Sequence, residues 1–360
     1  MELNLLILPG DGIGIEVTRE AVRVLERVCL RFGHKLAYQE ALLGGIAIQK
    51  TGSPFPPETE KLALQADATL MGAVGLPEFD NAPPDKRPEK GLLGIRKSLK
   101  VYANLRPIRA YKALLDSSPL KNPLVEGTDL IIVRELTGGL YYGTPRGVFG
   151  SGPQEQGVNT MVYTRAEIER VARLAFQLAR KRRKKLASVD KSNVLEVSQL
   201  WRKVVTELGK EYSEVALEHL LVDNCAMQLI LNPKRFDVML MENMFGDILS
   251  DEASVLAGSI GMLPSASIGD AKRPGVWAGL YEPVHGSAPD IAGRNKANPL
   301  GAIGSVAAML EYSFGLTKEA SAVNAAIEKV LDSGKVTADL RPAGKPATTE
   351  DVGKAVCGFL

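Results

Sequence analysis

An α/β fold built on a largely parallel, buried sheet is what the 360-residue sequence predicts, on three observations. The first hundred residues alternate short apolar runs with stretches of helical spacing, which is the pattern of repeated βαβ units. Prolines and glycines punctuate the boundaries between those stretches. The composition, 45% hydrophobic and 24% charged with 35 glycines, is that of an ordinary globular chain and excludes disordered and fibrous classes. A chain of this length divides into two domains or forms one large one, and needs neither disulfide nor structural metal to complete a core.

The elements follow in order. Leu3 to Leu8 is an apolar run stopped by Pro9-Gly10-Asp11 and reads as a buried strand. Behind it Val17, Ala21, Val24, Leu25, Val28 and Phe32 recur at helical spacing. A strand over Leu36 to Gln39, a proline-started helix near Pro57 to Ala66 and an apolar strand over Ala68 to Ala73 continue the alternation. Asn81 to Pro88, with Pro83, Pro84 and Pro88, predicts a loop, and Glu89 to Lys100 a short helix. After a strand over Asp129 to Arg134, seven glycines between Gly138 and Gly157, with Tyr, Val and Phe among them, predict a hairpin. Helices are expected over Arg165 to Arg183 and Val194 to Lys210, with strands at Leu186 to Val189, Val215 to Val222 and Val238 to Met241. From Asn243 onward helical patterns dominate. Composition alone marks no domain boundary.

Charge and cysteine usage narrow the function classes. Lys and Arg number 44 against 42 Asp and Glu, leaving +2, which excludes a strongly polyanion-seeking chain. The basic run Arg180-Lys-Arg-Arg-Lys-Lys185 supports a rival, nucleic-acid-binding reading, but it falls at the C-terminal end of an amphipathic helix, where cations meet the dipole favourably. Neither a nucleic acid nor a membrane is therefore an expected partner; the charge-free Ala253 to Gly269 is broken by Ser254, Ser259, Pro264, Ser265 and Ser267. Cys29, Cys225 and Cys357 form no CxxC pair, so a reducing compartment, the cytoplasm, is expected.

Several residues carry candidate chemistry. Gly10-Asp-Gly-Ile-Gly14 follows a strand and precedes a helix, as a dinucleotide loop does, yet Ile15 stands where GxGxxG needs glycine and Asp11 would repel phosphate. A plain tight turn is the alternative. Asp247 and Asp251 lie four apart, on one face of a helix, beside Met244 and Val255. They form either a solvated pair or part of a site for a hard divalent cation, with Asp223, at the end of the apolar Leu220-Leu-Val222, a candidate third ligand. Arg96, Arg106 and Arg134 each sit in patterned sequence where a guanidinium fork can grip a carboxylate. With an acidic cluster they suggest a polycarboxylate, small-molecule substrate. Lys191, after a strand and opening a helix, is a candidate for proton transfer, and Tyr141 in the Gly-rich hairpin a candidate acid. His34, His219 and His285 show no zinc spacing.

The motifs Gly10-Asp-Gly-Ile-Gly14, Tyr102-Ala-Asn-Leu-Arg-Pro107, Arg134-Glu-Leu-Thr-Gly138, Asn159-Thr-Met-Val-Tyr163, Ser188-Val-Asp-Lys191, Asn243-Met-Phe-Gly-Asp-Ile-Leu-Ser-Asp-Glu-Ala253 and Glu282-Pro-Val-His-Gly-Ser-Ala-Pro-Asp-Ile-Ala-Gly293 span the chain. Together they resemble the isocitrate/isopropylmalate dehydrogenase family of β-decarboxylating dehydrogenases, on its isopropylmalate side. The resemblance implies an isopropylmalate-dehydrogenase-like fold with a mixed, largely parallel sheet: a cofactor-side domain from residues 1–101 and 258–360, and a central dimerisation domain from 102–257 whose β-arm, about 134–163, is exchanged in a homodimer. It implies an oxidoreductase of leucine biosynthesis that converts 3-isopropylmalate to 2-oxoisocaproate with NAD and Mg²⁺ or Mn²⁺. NAD would lie on the loop from Leu76 to Glu89 and on Gly286, Ser287, Ala288, Pro289, Asp290, Ile291, Ala292, Gly293 and Asn298. Arg96, Arg106 and Arg134 would hold the malate carboxylates, and Asp247 and Asp251 the metal, with Asp223 from the second copy. Lys191, also from that copy, would help remove the hydroxyl proton, and Tyr141 would protonate the enol carbon, so the active sites are shared.

Specificity rests on fewer residues. Leu92 and Leu93, with Val194 of the second copy, would form an apolar pocket that prefers isopropyl to a third carboxylate. Asp290 suits a free ribose 2′-hydroxyl, hence NAD over NADP. Ile15 stands where the family usually has proline, Ser192 where alanine is common, and Asp270 to Gly279 is longer than the family pattern before Tyr281.

Overall fold

The computed structural model describes residues 1–83 and 86–360; within the loop expected over Asn81 to Pro88, Pro84 and Asp85 lie outside the described residues. In chain order the first elements are β1 (Glu2–Gly10), α1 (Gly14–Phe32), β2 (Lys35–Glu40), α2 (Gly45–Thr51), α3 (Pro57–Gln65), β3 (Ala68–Ala73) and α4 (Pro88–Ser98). The middle of the chain supplies β4 (Ala103–Arg109), α5 (Asn122–Val125), β5 (Asp129–Glu135), β6 (Gly147–Phe149), β7 (Gln156–Val158), α6 (Arg165–Lys181), β8 (Lys185–Asp190), α7 (Glu196–Gly209), β9 (Ala216–Leu221), α8 (Val222–Leu231), β10 (Val238–Met241) and α9 (Asn243–Ser254). The remainder is β11 (Pro264–Arg273), β12 (Val276–Pro283), α10 (Leu300–Tyr312), α11 (Thr317–Asp332) and α12 (Thr349–Phe359). Two compact units result: Met1–Val101 with Tyr111–Pro119 and Ala257–Leu360, and Tyr102–Ala110 with Leu120–Leu256.

The first unit orders its strands β2-β1-β3-β12-β11, all parallel except β11, which pairs antiparallel with β12. Every residue of β3 is buried, as its apolar run predicts, whereas β2 is a mostly exposed edge strand, so the sheet is not buried throughout. Helix α10 is apolar all round and buried from Leu300 to Leu310, the signature of a core helix; α1 and α11 pack on it, and α12 on both of those. Pro57 and Pro88 open α3 and α4 at the first turn, where a missing N–H costs nothing.

The long β11–β12 hairpin departs from the helical expectation for this region. Ser265, Ala266 and Ser267 on β11 are all buried but are too small and polar to register as an apolar strand, and β11 packs against α10. The longer Asp270 to Gly279 stretch is the tip of this hairpin, turning at Gly275 with φ of 77°. Lys272 Nζ donates to the Ala63 and Leu64 carbonyls at the C-terminal end of α3, at 3.1 and 3.2 Å, and to Ala66. Arg273 grips Asp67 with two bonds of 2.9 and 2.8 Å. Lys272 and Arg273 thus fasten the hairpin to the C-terminal end of α3.

The second unit orders its strands β4-β5-β10-β8-β9, with β5, β10, β8 and β9 parallel and β4 antiparallel to β5. Strand β4 was hidden in sequence because Asn104, Arg106, Pro107 and Arg109 interrupt its apolar pattern. Of the expected Gly138 to Gly157 hairpin only β6 and β7 pair; Gly139–Tyr141 is a 3₁₀ turn, so Tyr141 precedes the hairpin instead of lying within it. Asp223 lies in the first turn of α8, not at a strand end, and Lys191 sits in the turn before α7 instead of opening the helix. A capping box of Thr164 and Glu167 starts α6.

The arginines of the basic run closing α6 are spent internally. Arg182 donates to Asp237 Oδ1 at 2.8 Å and Asp129 Oδ1 at 2.8 Å, and the Arg183 N–H donates to Asp237 Oδ2 at 2.8 Å. Arg180 pairs with Glu214. Because Asp237 is fully buried, Arg182→Ala strands a carboxylate and is expected to lower unfolding free energy by about 2–4 kcal/mol, read as a urea midpoint shift. A loss below about 0.5 kcal/mol would show that Arg183 suffices.

Candidate active site

Four parallel strands bring their carboxyl ends to one edge of the second unit, the edge at which open α/β sheets place functional groups. Strand β5 ends in Arg134 and Glu135, β10 leads into Glu242, β8 into Lys191 and β9 into Asp223. Strand β4 runs the opposite way and pairs Asn104 with Arg134.

Helix α9 is shaped around Arg134. Glu242 caps it, accepting from the Met244 N–H at 3.0 Å and the Phe245 N–H at 2.7 Å. Asn243 Oδ1 accepts from Arg134 Nε at 2.9 Å and Nη2 at 2.7 Å, while its Nδ2 donates to the Leu136 and Gly138 carbonyls, both at 3.1 Å. A Cβ at Gly246 would lie 2.5 Å from Arg134 Cγ, so the missing side chain is the space the arginine stem occupies. One turn on, Asp247 accepts from Arg134 Nη1 and, through Oδ2, from Tyr141 Oη at 2.9 Å. Asp251 accepts from Arg106 Nη1 at 2.9 Å, and Arg106 Nη2 lies 3.7 Å from Asp247. The two carboxylates share one helix face, and two guanidinium groups offset their repulsion.

Burial, reinforced by the Asp247 hydrogen bond, pushes the Tyr141 phenol up to about 12, so it keeps its proton at neutral pH. Burial also raises the Glu135 and Glu242 carboxyls beneath the site. Lys191 Nζ donates to Asp223 Oδ1 at 2.9 Å, which holds that carboxyl below its usual range. Asp247 and Asp251 offer the hard oxygen donors that Mg²⁺ or Mn²⁺ takes, so the donor set fits such an ion. Among the described residues of one chain, though, no three His, Cys, Asp or Glu side chains cluster as a metal site, and Asp223 pairs with Lys191 instead. Val194, in the turn after Lys191, is exposed.

In the first unit, α4 carries half-buried Leu92 and Leu93, with buried Arg96 one turn after Leu92 on the same face. Arg96 Nη2 donates to Glu282 Oε1 at 2.8 Å, but its buried Nε has no partner among the described residues, a donor placed for an incoming acceptor. Strands β1, β3 and β12 are parallel and end together, so the turn at Gly10, the loop from Gly75 and the loop from His285 share an edge. Gly10-Asp-Gly-Ile-Gly14 is a tight turn: Cβ atoms at Gly10 and Gly12 would meet the Ala73 and Ser287 carbonyl oxygens at 2.0 and 2.1 Å.

Around the His285 loop, Gly286 and Gly293 have open space where a Cβ would stand, and Pro289 and Asp290 are exposed. Ser287 is buried, Ala288, Ile291 and Ala292 are half-buried, and Ala288 holds a left-handed φ of 37°. Leu76 is half-buried, its side chain over Gly45, and Glu89 is exposed. This glycine-lined, partly open strip with an exposed carboxylate fits a dinucleotide. Asn298 differs: its amide is spent on Asp339 Oδ2 at 3.0 Å and the Leu300 N–H at 3.0 Å, inside the fold. Asn243, Gly246 and Glu282 lay within the quoted motifs without being singled out; a polar residue directly after the apolar strand Val238–Met241 was the available signal.

A family model described as isocitrate/isopropylmalate dehydrogenase matches residues 4–356. A 3-isopropylmalate dehydrogenase of Geobacillus kaustophilus is 58% identical, over 95% of this chain and 91% of that protein. That of Aquifex aeolicus is 55% identical, over 95% and 92%. Among solved structures, isocitrate dehydrogenase from Methylococcus capsulatus superposes with a TM-score of 0.86 at 32% identity, covering 99% of both chains. A β-decarboxylating dehydrogenase from Thermococcus kodakarensis gives 0.80 at 37% identity, covering 99% of this chain and 96% of that one. With the family model matched over nearly its whole length and relatives above half identity, the chain belongs to the isocitrate/isopropylmalate dehydrogenase family.

Proposed function

We propose that the protein catalyses the NAD-dependent oxidative decarboxylation of 3-isopropylmalate to 2-oxoisocaproate, a step of leucine biosynthesis, in the cytoplasm. The observation that carries this reading is the Asp247–Asp251 pair held by Arg106 and Arg134, with a protonated Tyr141 on Asp247. Similarity to 3-isopropylmalate dehydrogenases at 58% identity supports the choice of substrate.

Arg106 and Arg134 grip the malate carboxylates, and the unpartnered Arg96 Nε offers a further donor. Asp247 and Asp251 would hold Mg²⁺ or Mn²⁺, with Asp223 contributed by a second copy. When bound, the metal would supply Lewis-acid stabilisation of negative charge on the substrate oxygens, and NAD⁺ would supply the hydride acceptor. Lys191 of that second copy assists removal of the hydroxyl proton, which only the neutral amine form of Nζ can accept. Loss of the β-carboxyl as CO₂ leaves its electron pair on the adjacent carbon, and Tyr141 Oη delivers the proton that closes the balance. Leu92, Leu93 and Val194 line the isopropyl pocket and withhold the hydrogen bonds a third carboxylate needs. Asp290 would accept from the ribose 2′-hydroxyl of NAD, with Leu76, Glu89 and the 286–293 loop flanking the rest.

The same geometry supports a homodimer. Asp223 pairs with Lys191 in its own chain and does not join Asp247 and Asp251 among the described residues, as expected if a second copy brings that pair to the site. Helices α8 and α9 pack together yet leave Met227, Leu231 and Ile248 each more than half exposed, an apolar face suited to a second copy. Val148 and Phe149 on β6 are likewise exposed, as an exchanged arm would be in an isolated chain. A nucleic-acid partner has no support, since Arg182 and Arg183 are committed to Asp129 and Asp237. No helix among the described residues is long and apolar enough to cross a membrane.

Purified protein with NAD⁺ and Mg²⁺ should produce NADH, followed by absorbance, fastest with 3-isopropylmalate among isocitrate, homoisocitrate and malate, and not with EDTA. Preference for another acid would reject the Leu92/Leu93 pocket, and no turnover on any would reject the enzyme reading. Leu92→Ser should cost about tenfold in kcat/KM on isopropylmalate and little on malate; equal losses on both would remove Leu92 as a selector. Gly246→Ala should lower kcat/KM at least about tenfold by displacing Arg134, although alanine favours the helix by about 1 kcal/mol. Unaltered activity in that variant would show that the Arg134 position is not critical.

A further inference from the structure

We propose that Asp11 and Glu16 are positioning residues for the cofactor, each buried carboxylate holding one of the two loops assigned to NAD; this rests on that assignment. Asp11 Oδ2 accepts from the Gly45 N–H at 2.7 Å and the Gly75 N–H at 2.8 Å, and Oδ1 from the Ile46 N–H at 2.8 Å. Gly75 is the residue before Leu76, at a φ of 126°. A Cβ there would lie 3.4 Å from Ser287 Oγ and 3.8 Å from Glu89 Oε1, so this N–H anchors the point where the two loops approach each other. Leu76 then folds over Gly45, which Asp11 also holds. Five residues on, Glu16 Oε1 accepts from the Asn295 N–H at 2.7 Å and Oε2 from the Gly293 N–H at 3.3 Å. Between the two acids the Ile13 N–H donates to the Ser287 carbonyl at 2.8 Å.

One short segment therefore grips both loops from beneath, almost entirely through their backbones. Their side chains and remaining backbone groups are left to face a ligand. An ionised carboxylate suits this task because both oxygens accept, whereas an amide must turn one N–H toward another N–H. The Gly-Asp-Gly-Ile-Gly motif does not contact a pyrophosphate as a GxGxxG loop does; it fixes the loops that would. Gly10 and Gly12 are required because the segment runs against the Ala73 and Ser287 backbones.

The test uses the full chain with Asp11→Asn, Glu16→Gln and Asp290→Ala, and measures NADH binding by fluorescence titration with neither substrate nor metal present. Asp11→Asn and Glu16→Gln should each weaken NADH by about tenfold, the loss of one charge-assisted hydrogen bond. The rise in melting temperature produced by isopropylmalate with Mg²⁺ should stay at its wild-type size, which a general loosening of the fold would not allow. NADH affinity within about twofold of wild type in both variants, with Asp290→Ala weakened, overturns the positioning role and keeps the loop assignment. If Asp290→Ala also binds normally, the loop assignment falls and the proposal with it. Should Asp11→Asn not fold, Glu16→Gln decides by the same limits.

Discussion

A guanidinium buried at the carboxyl end of a parallel strand must be met by acceptors on every side, and Arg134 imposes that demand on everything near it. Asn243 supplies one oxygen to two of its N–H groups and spends its own N–H groups on the Leu136 and Gly138 carbonyls. Those carbonyls belong to the chain leading into the 3₁₀ turn that ends at Tyr141. Asp247 meets the remaining edge and receives the Tyr141 hydroxyl as well. Arg134, the Tyr141 hydroxyl and the Asp247 carboxylate are thus held by one continuous set of hydrogen bonds, and displacing any one disturbs the others.

Beneath this layer the same unit buries Glu135, which pairs with Arg170 at 3.3 Å, and Glu242. Glu135 accepts from the Thr137 and Gly138 N–H groups, and Glu242 from the start of α9. Each carboxyl is therefore spent on backbone donors that would otherwise be orphaned at the end of a strand or the start of a helix. The first unit repeats the device with Asp11 and Glu16. In both units buried acids fix backbone turns.

Lys191 and Asp223 pair at 2.9 Å, and no third His, Cys, Asp or Glu side chain clusters with Asp247 and Asp251 among the described residues. An exposed apolar face lies on α8 and α9, where Met227, Leu231 and Ile248 are each more than half exposed. The proposed homodimer accounts for both observations.

The sequence by itself determined the alternation of strands and helices in the first hundred residues, the Asp247 and Asp251 face, and the arginines, because each depends on periodicity or on neighbours a few residues apart. The family was legible from motifs whose order along the chain is itself informative. Only the tertiary structure decided the β11–β12 hairpin, whose serines and alanines are buried by α10, and strand β4, whose polar residues are satisfied by partners far along the chain. Tertiary packing also decided that Asn243 holds Arg134, that Asp11 serves the loop at Gly75, and that the basic run at Arg182 closes on Asp237. Those pairs lie tens of residues apart, and a hydrogen bond's partner at such a distance is set by topology, which local pattern does not encode.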